Sequence, residues 1–210
     1  MIKYPLAIGV SGNFQVGKDL FYHLLKRKIP NLARYALADI LKQESDLEIQ
    51  KSFKFSIFNC TPAQKEIARP FLVSYGKQKR QETNGRYWIS LLNAQIKLAR
   101  QDNPDIIPCI CDCRYDIYEN DEVSWIKDEL GGILVNVQKY KIVEGKQVFS
   151  LPANSDEAEN EPNLIKKANY RIIWPNILEN SSYVNNPENL EILERELSPW
   201  VDEFLKWVRK

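Results

Sequence analysis

The run Gly12-Asn13-Phe14-Gln15-Val16-Gly17-Lys18-Asp19 has the residue types and the spacing to hold phosphate. Two glycines five residues apart, with lysine directly after, allow a tight loop whose backbone N–H groups converge. Together with the positive end of a following helix they form an anion cradle, and Lys18 adds a point charge for the outer phosphates. Asp19 stands where Ser or Thr commonly holds Mg²⁺ in such a phosphate loop. A carboxylate beside polyphosphate is repulsive unless a cation lies between them, which makes Asp19 a candidate metal ligand.

A second constellation closes the run Ile106-Ile107-Pro108-Cys109-Ile110-Cys111-Asp112-Cys113-Arg114. Asp112 and Arg114 are two apart on an extended chain and so share a face. An Asp at a strand tip holds Mg²⁺ or its waters, and an Arg there takes a phosphate bidentately. A third cluster, Arg69, Tyr75, Lys77, Lys79, Arg80, Arg86 and Trp88, mixes guanidinium groups with aromatic rings. Arg69 and Arg80 suit an acceptor phosphate, and Tyr75 or Trp88 could stack on a base; the competing reading is a solvated basic face. His23 is the only histidine, which argues against Ser–His catalysis or a His₂ metal site. Cys109, Cys111 and Cys113 alternate along one strand, are expected on one face, and read as small apolar residues rather than a zinc site.

Positioning these groups requires strands that end at the loops and helices that follow. Apolar runs predict strands at 5–10, 33–37, 106–112, 133–138 and 170–174. Helical periodicity predicts helices at 18–28, 39–50, 62–81, 86–100, 119–130, 156–168 and 188–208. The alternation implies an α/β chain with a mostly parallel, roughly five-stranded sheet covered on both faces, in three layers. Thr61-Pro62-Ala63-Gln64 combines a capping box with Pro at the first helical position, and Gly131-Gly132 ends a helix. Pro70 and Pro199 are expected to kink or break their helices. Leu190, Leu193, Leu197, Val201, Phe204, Leu205 and Val208 form a stripe expected in the core. In open α/β sheets ligands bind beyond the carboxyl ends of the strands, so the 12–19 loop and the Asp112/Arg114 tip are expected to share a crevice.

Composition narrows the classes. Lys and Arg number 29 against 28 Asp and Glu, so nothing electrostatic favours a nucleic-acid polymer or an anionic membrane. No apolar run is long enough to span a bilayer, and the N-terminal residues lack a signal-peptide pattern, which makes the cytoplasm the expected location. A homodimer is left open.

Taken in order, these pieces resemble the phage and bacterial deoxynucleoside monophosphate kinases, within the P-loop nucleoside monophosphate kinase group. Ser11 to Asp19 is similar to that family's P-loop, in which Asp after the Lys is usual. Leu37-Ala38-Asp39-Ile40-Leu41-Lys42 resembles its segment after the second strand, and Arg69 to Gly76 with Arg80 and Tyr87-Trp88 its acceptor-side helices. Asp112-Cys113-Arg114 resembles its D-x-R motif; Glu119, Gly131-Gly132 and Tyr170 to Pro175 continue the match.

The resemblance implies one P-loop kinase domain over 1–210, with a helical acceptor-binding insertion at about 39–100 and a lid at about 139–168. It implies deoxynucleotide metabolism: transfer of the ATP γ-phosphate to a (deoxy)nucleoside monophosphate, with Mg²⁺. In that reading the amides of 12–19 and Lys18 hold ATP, Asp19 and Asp112 hold the metal, and Lys18, Asp112 and Arg114 are catalytic. Asp39, Arg69, Tyr75, Arg80, Trp88 and Arg114 bind the acceptor, and the lid closes to exclude water. One departure stands out: no arginine lies between Arg114 and Arg171, so Lys139 and Lys141 are the first lid cations. Alternatives are a P-loop kinase for a nucleoside or dephospho-coenzyme A, or a nucleotide-binding regulatory protein without turnover.

Overall fold

The computed structural model describes residues 4–177 and 187–210. Short apolar runs form the strands β1 (Ile8–Ser11), β2 (Leu32–Tyr35), β3 (Ile107–Cys113), β4 (Ile133–Val143), β5 (Lys146–Phe149) and β6 (Tyr170–Pro175). Between them lie helices α1 (Lys18–Lys26), α2 (Leu37–Phe53), α3 (Pro62–Glu82), α4 (Arg86–Asp102), α5 (Glu122–Ser124), α6 (Ser155–Lys167) and α7 (Pro187–Val208). Helix α5 continues directly as a π-helical turn, Trp125–Glu129.

Five strands run parallel, as the alternation of elements predicts, and their order is β2-β3-β1-β4-β6. The segment expected to be a lid supplies a sixth strand, β5, antiparallel to β4. Its position follows from register. Tyr140 of β4 pairs with Pro175 of β6 on one edge and with Phe149 of β5 on the other. β5 therefore lies on the β1 side of β4, beyond Asn136, where β1 stops pairing. The β4–β5 hairpin thus stands next to the point where β1 gives way to the 12–17 loop.

Two cores flank the sheet. Phe21, Leu24 and Leu25 of α1 pack with Leu193, Leu197, Val201, Phe204 and Leu205 of α7 over one face, so the C-terminal stripe is core. Trp88, Ile89, Leu92 and Ile96 of α4 pack with Trp125 and Ile126 on the other. A small third cluster of Ile49, Ile57 and Ala68 holds the far ends of α2 and α3 together.

The structure corrects several local expectations. Helices α3 and α7 run unbroken through Pro70 and Pro199, although each proline removes a backbone donor. Packing of α3 against α2 and α4, and of α7 against α1 and β6, holds each helix across the defect. The capping box at Thr61/Gln64 forms as predicted, at 3.2 and 2.8 Å. Helix α2 begins at Leu37, earlier than its periodicity predicts, because its capping group comes from β3. Cys113 does not share the face of Cys109 and Cys111. A register shift between β1 and β3, where Gly9 pairs Ile110 but Ser11 pairs Cys113, inserts one residue into β3 and turns Cys113 into the opposite core. All four cysteines are free thiols.

Candidate functional site: a phosphate loop and a strand tip

The loop after β1 turns sharply and needs unusual backbone conformations. Gly12, Gln15 and Gly17 all adopt positive φ, at 136°, 59° and 99°. Gly12 and Gly17 are also required by close approach. A Cβ at Gly12 would lie 2.2 Å from the Val137 carbonyl oxygen, and one at Gly17 would lie 2.7 Å from the Trp174 ring. Trp174, on β6, clamps the loop from below by donating its indole N–H to the Val16 carbonyl at 2.8 Å. Nothing in the local motif points to Trp174 as part of the loop; its contact spans 158 residues.

Lys18 opens α1 and folds back into the loop, where its Nζ donates to the carbonyls of Gly12 and Asn13 at 2.6 and 2.7 Å. Burial, and then the neighbouring Arg114 charge, lower its ammonium group to about 8. Glu157, Asp112 and Asp19 act the other way. Those same groups show what surrounds Lys18: the strand tip of β3, the first turn of α1 and helix α6. The expected shared crevice is therefore present, lined by Gly12, Asn13, Arg114, Glu157, Glu161 and Leu164.

Asp112 caps α2. Its two carboxylate oxygens accept from the Leu37 and Ala38 N–H groups at 2.9 and 2.7 Å. Burial nonetheless raises its carboxyl above the ordinary range. Arg114, two residues on, is half-exposed and lies 3.8 Å from Glu157. Asp19 is exposed and bound to Arg34, whose Nε donates to it at 2.8 Å while Nη1 donates to Asp39 at 2.7 Å. Arg34 thus ties the start of α1 to the start of α2. Sequence reasoning missed it; the one available signal was a charged residue inside the otherwise uncharged strand Leu32-Ala33-Arg34-Tyr35.

Most of the basic and aromatic cluster expected at the acceptor is committed elsewhere. Arg80 is buried; its Nη2 donates to both Asp121 carboxylate oxygens at 2.8 Å and its Nη1 to Glu122 at 3.0 Å, with the guanidinium 4.0 Å from the Tyr115 ring centroid. Its fork is filled by carboxylates, so it is not open to an acceptor phosphate. Glu122 in turn accepts from the backbone N–H groups of Arg114 and Tyr115, at 2.6 and 3.0 Å. Burial lifts the Glu122 carboxyl to about 8, against the pull of Arg80. Arg80 therefore supports the strand tip that carries Arg114. Trp88 is likewise core, 4% exposed, and its indole donates to the Gly76 carbonyl, so it offers no ring face to a base. Arg69 is exposed and forks onto Glu66 one turn earlier. Tyr75 and Tyr87 both donate to Glu44, and the Tyr75 hydroxyl is pushed up to about 12 by that hydrogen bond. Lys139 is half-buried on β4, its ammonium lowered by burial, and Lys141 is exposed in the hairpin.

The loop fits a polyphosphate on one direct observation: an anion already uses it, since the Glu157 carboxylate accepts from the Phe14 N–H at 3.1 Å. Among the described residues no cluster of three or more His, Cys, Asp or Glu could hold a metal alone. Mg²⁺ at Asp19 and Asp112 would accordingly take only one or two carboxylates and complete its shell with phosphate oxygens and water, which is its habit at nucleotide sites. Among the described residues no helix is long and apolar enough to cross a membrane.

No family model matches the chain, and no curated protein matches it by sequence. Among solved structures it is similar to a dephospho-CoA kinase from Campylobacter jejuni, with 15% identity over 92% of this chain and 98% of that one and a TM-score of 0.41. A likeness at that level carries no argument about the reaction.

Proposed function

We propose that the chain is an ATP- and Mg²⁺-dependent phosphotransferase whose acceptor is a (deoxy)nucleoside monophosphate. The observation that carries the reading is the surrounding of Lys18: a loop with three positive-φ residues, the Asp112/Arg114 tip of β3 and the Asp19–Arg34–Asp39 bridge meet at the carboxyl ends of β1, β2 and β3. Phosphoryl transfer asks a protein for positioning and charge neutralisation more than for covalent chemistry, and these groups supply both without a nucleophile. The loop amides and Lys18 neutralise the donor phosphates. Asp19 and Asp112 are the groups available to Mg²⁺, which when bound would screen the transferring phosphoryl. Arg114 lines the crevice and its charge acts on Lys18, and Arg34 links the donor side to Asp39 on the acceptor side. The β4–β5 hairpin, beside the loop, excludes water.

A second acceptor class has a specific observation behind it. With Arg80 and Trp88 buried, two groups expected to recognise a nucleoside monophosphate are withdrawn, which widens the choice to a nucleoside or dephospho-coenzyme A. An ATP-consumption screen across all nucleoside and deoxynucleoside monophosphates, nucleosides and dephospho-coenzyme A, with Lys18→Met as control, tests both. Turnover confined to monophosphates supports the first reading. Turnover with another acceptor transfers the assignment to that compound. ATP binding without turnover on any acceptor leaves a nucleotide-binding regulator.

A further inference from the structure

Helix α6 brings two carboxylates onto the phosphate loop. Glu157 and Glu161 are one turn apart and face the same way. The Glu157 side chain is 9% exposed; its Oε2 accepts from the loop amide of Phe14 at 3.1 Å and from the Ala153 N–H at 3.0 Å, and its Oε1 lies 3.8 Å from Arg114. Glu161 accepts from the Asn13 side chain at 2.7 Å, and the same Asn13 Nδ2 reaches the Ser150 carbonyl at 3.2 Å. The other end of the helix is held separately. Lys167 pairs with Asp116 at 2.7 Å, Asn163 donates to Asp116 at 3.0 Å, and Leu164 is buried in the core. The first turn is held beyond the loop by two long ion pairs, Arg114–Glu157 at 3.8 Å and Lys77–Asp156 at 3.6 Å.

A loop amide, the Asn13 side chain and Arg114 are thus engaged by acids of the chain itself. A polyphosphate entering the cradle needs the Phe14 amide that Glu157 uses, and its charge repels both carboxylates. We propose that α6 is a latch: Glu157 and Glu161 occupy the phosphate loop in the nucleotide-free chain, and a polyphosphate displaces them, moving the first turns of α6 about the Asp116 anchor and releasing Arg114 toward the ligand. This deepens the phosphotransferase reading and rests on the loop binding polyphosphate. It also supplies a cation to a lid that has no arginine of its own: the latch opens onto Arg114.

A latch that must open lowers apparent affinity by the fraction of molecules already open, so weakening it tightens binding. Glu→Gln at each position keeps an acceptor but removes the charge that makes these hydrogen bonds strong. Calorimetric titration of ATP, and of inorganic tripolyphosphate, without metal should give a Kd about tenfold tighter for Glu157→Gln/Glu161→Gln than for the wild type, with each single variant between. Hydrogen exchange on the wild type needs no substitution: on saturation with ATP, the Phe14 amide should gain protection while residues 155–161 lose it. Equal or weaker binding by the variants with measurable wild-type binding, or α6 gaining protection with ligand, overturns the latch alone. No binding of either probe by any of the four proteins overturns the phosphate-binding reading with it.

Discussion

The Lys18 ammonium group offers a quantitative test of the phosphate loop. Loss of water and the adjacent Arg114 charge hold it at about 8 in the free chain, against 10.5 for an ordinary lysine. A bound polyphosphate reverses both causes, because its oxygens replace the lost water and its negative charge outweighs Arg114. Lys18 should then return to its ordinary range in the complex, and binding above pH 8 must take up a proton. The size follows from the titration curve. With the free value at about 8, the group is about 0.9 protonated at pH 7 and about 0.25 at pH 8.5. Uptake should therefore be about 0.1 proton per ATP at pH 7 and about 0.75 at pH 8.5. Calorimetry in two buffers of different ionisation enthalpy reads this directly. The second ionisation of a phosphate lies near 6, so ATP itself contributes little at pH 8.5. The apparent Kd should weaken above pH 8, approaching about tenfold per pH unit, and Lys18→Met should abolish both the uptake and this pH dependence. Uptake equal at the two pH values, or a wild-type Kd flat between pH 8 and 9.5, would refute the placement of Lys18 against the phosphates.

Arg80→Met leaves Asp121 and Glu122 buried without their cation, which costs about 3–5 kcal/mol and should lower the melting temperature by roughly 6–20 °C. An unchanged melting temperature with lost acceptor affinity would restore Arg80 to the acceptor site. Asp112→Ala strips two α2 amides of their acceptor, at a cost of about 2 kcal/mol, with faster hydrogen exchange at Leu37 and Ala38, and Asp112→Asn should recover part of both. A purely metal-binding Asp112 would leave metal-free stability and exchange untouched.

What the sequence revealed, and what it hid, divides along the range of the interactions. The alternation of strands and helices, the turn between β1 and α1 and the strand end at Asp112/Arg114 are legible because each depends on neighbours within a turn or a strand. The roles of Arg80, Trp88 and Arg34 depend on contacts that no local pattern encodes. Arg80 and Trp88 sit in a stretch whose composition suits a ligand, yet the partners that claim them lie 41 and 12 residues away. Arg34 carries no motif at all, and its two aspartates come from opposite sides of the strand in sequence, 15 residues before and 5 after. The proline expectations failed for a related reason: a proline's cost is local, but the packing that absorbs it is tertiary.

The displacement of Arg80 from ligand to scaffold bears on why the crevice has the shape it has. Arg114 reaches the loop because β3 carries an extra residue opposite β1 and because Glu122 holds the Arg114 and Tyr115 amides after the strand ends. Glu122 is fixed by Arg80, so a residue of α3 sets the position of the arginine beside Lys18 without touching the crevice. On the same strand tip Asp112 starts α2, and α2 presents Asp39 to Arg34 and so to Asp19. The β3 tip therefore orients the neighbours of the 12–17 loop and the start of α2 at once. A movement of α6 that frees Arg114 would act on a group whose backbone is already held, which confines the change to one side chain and leaves the loop and α2 in place.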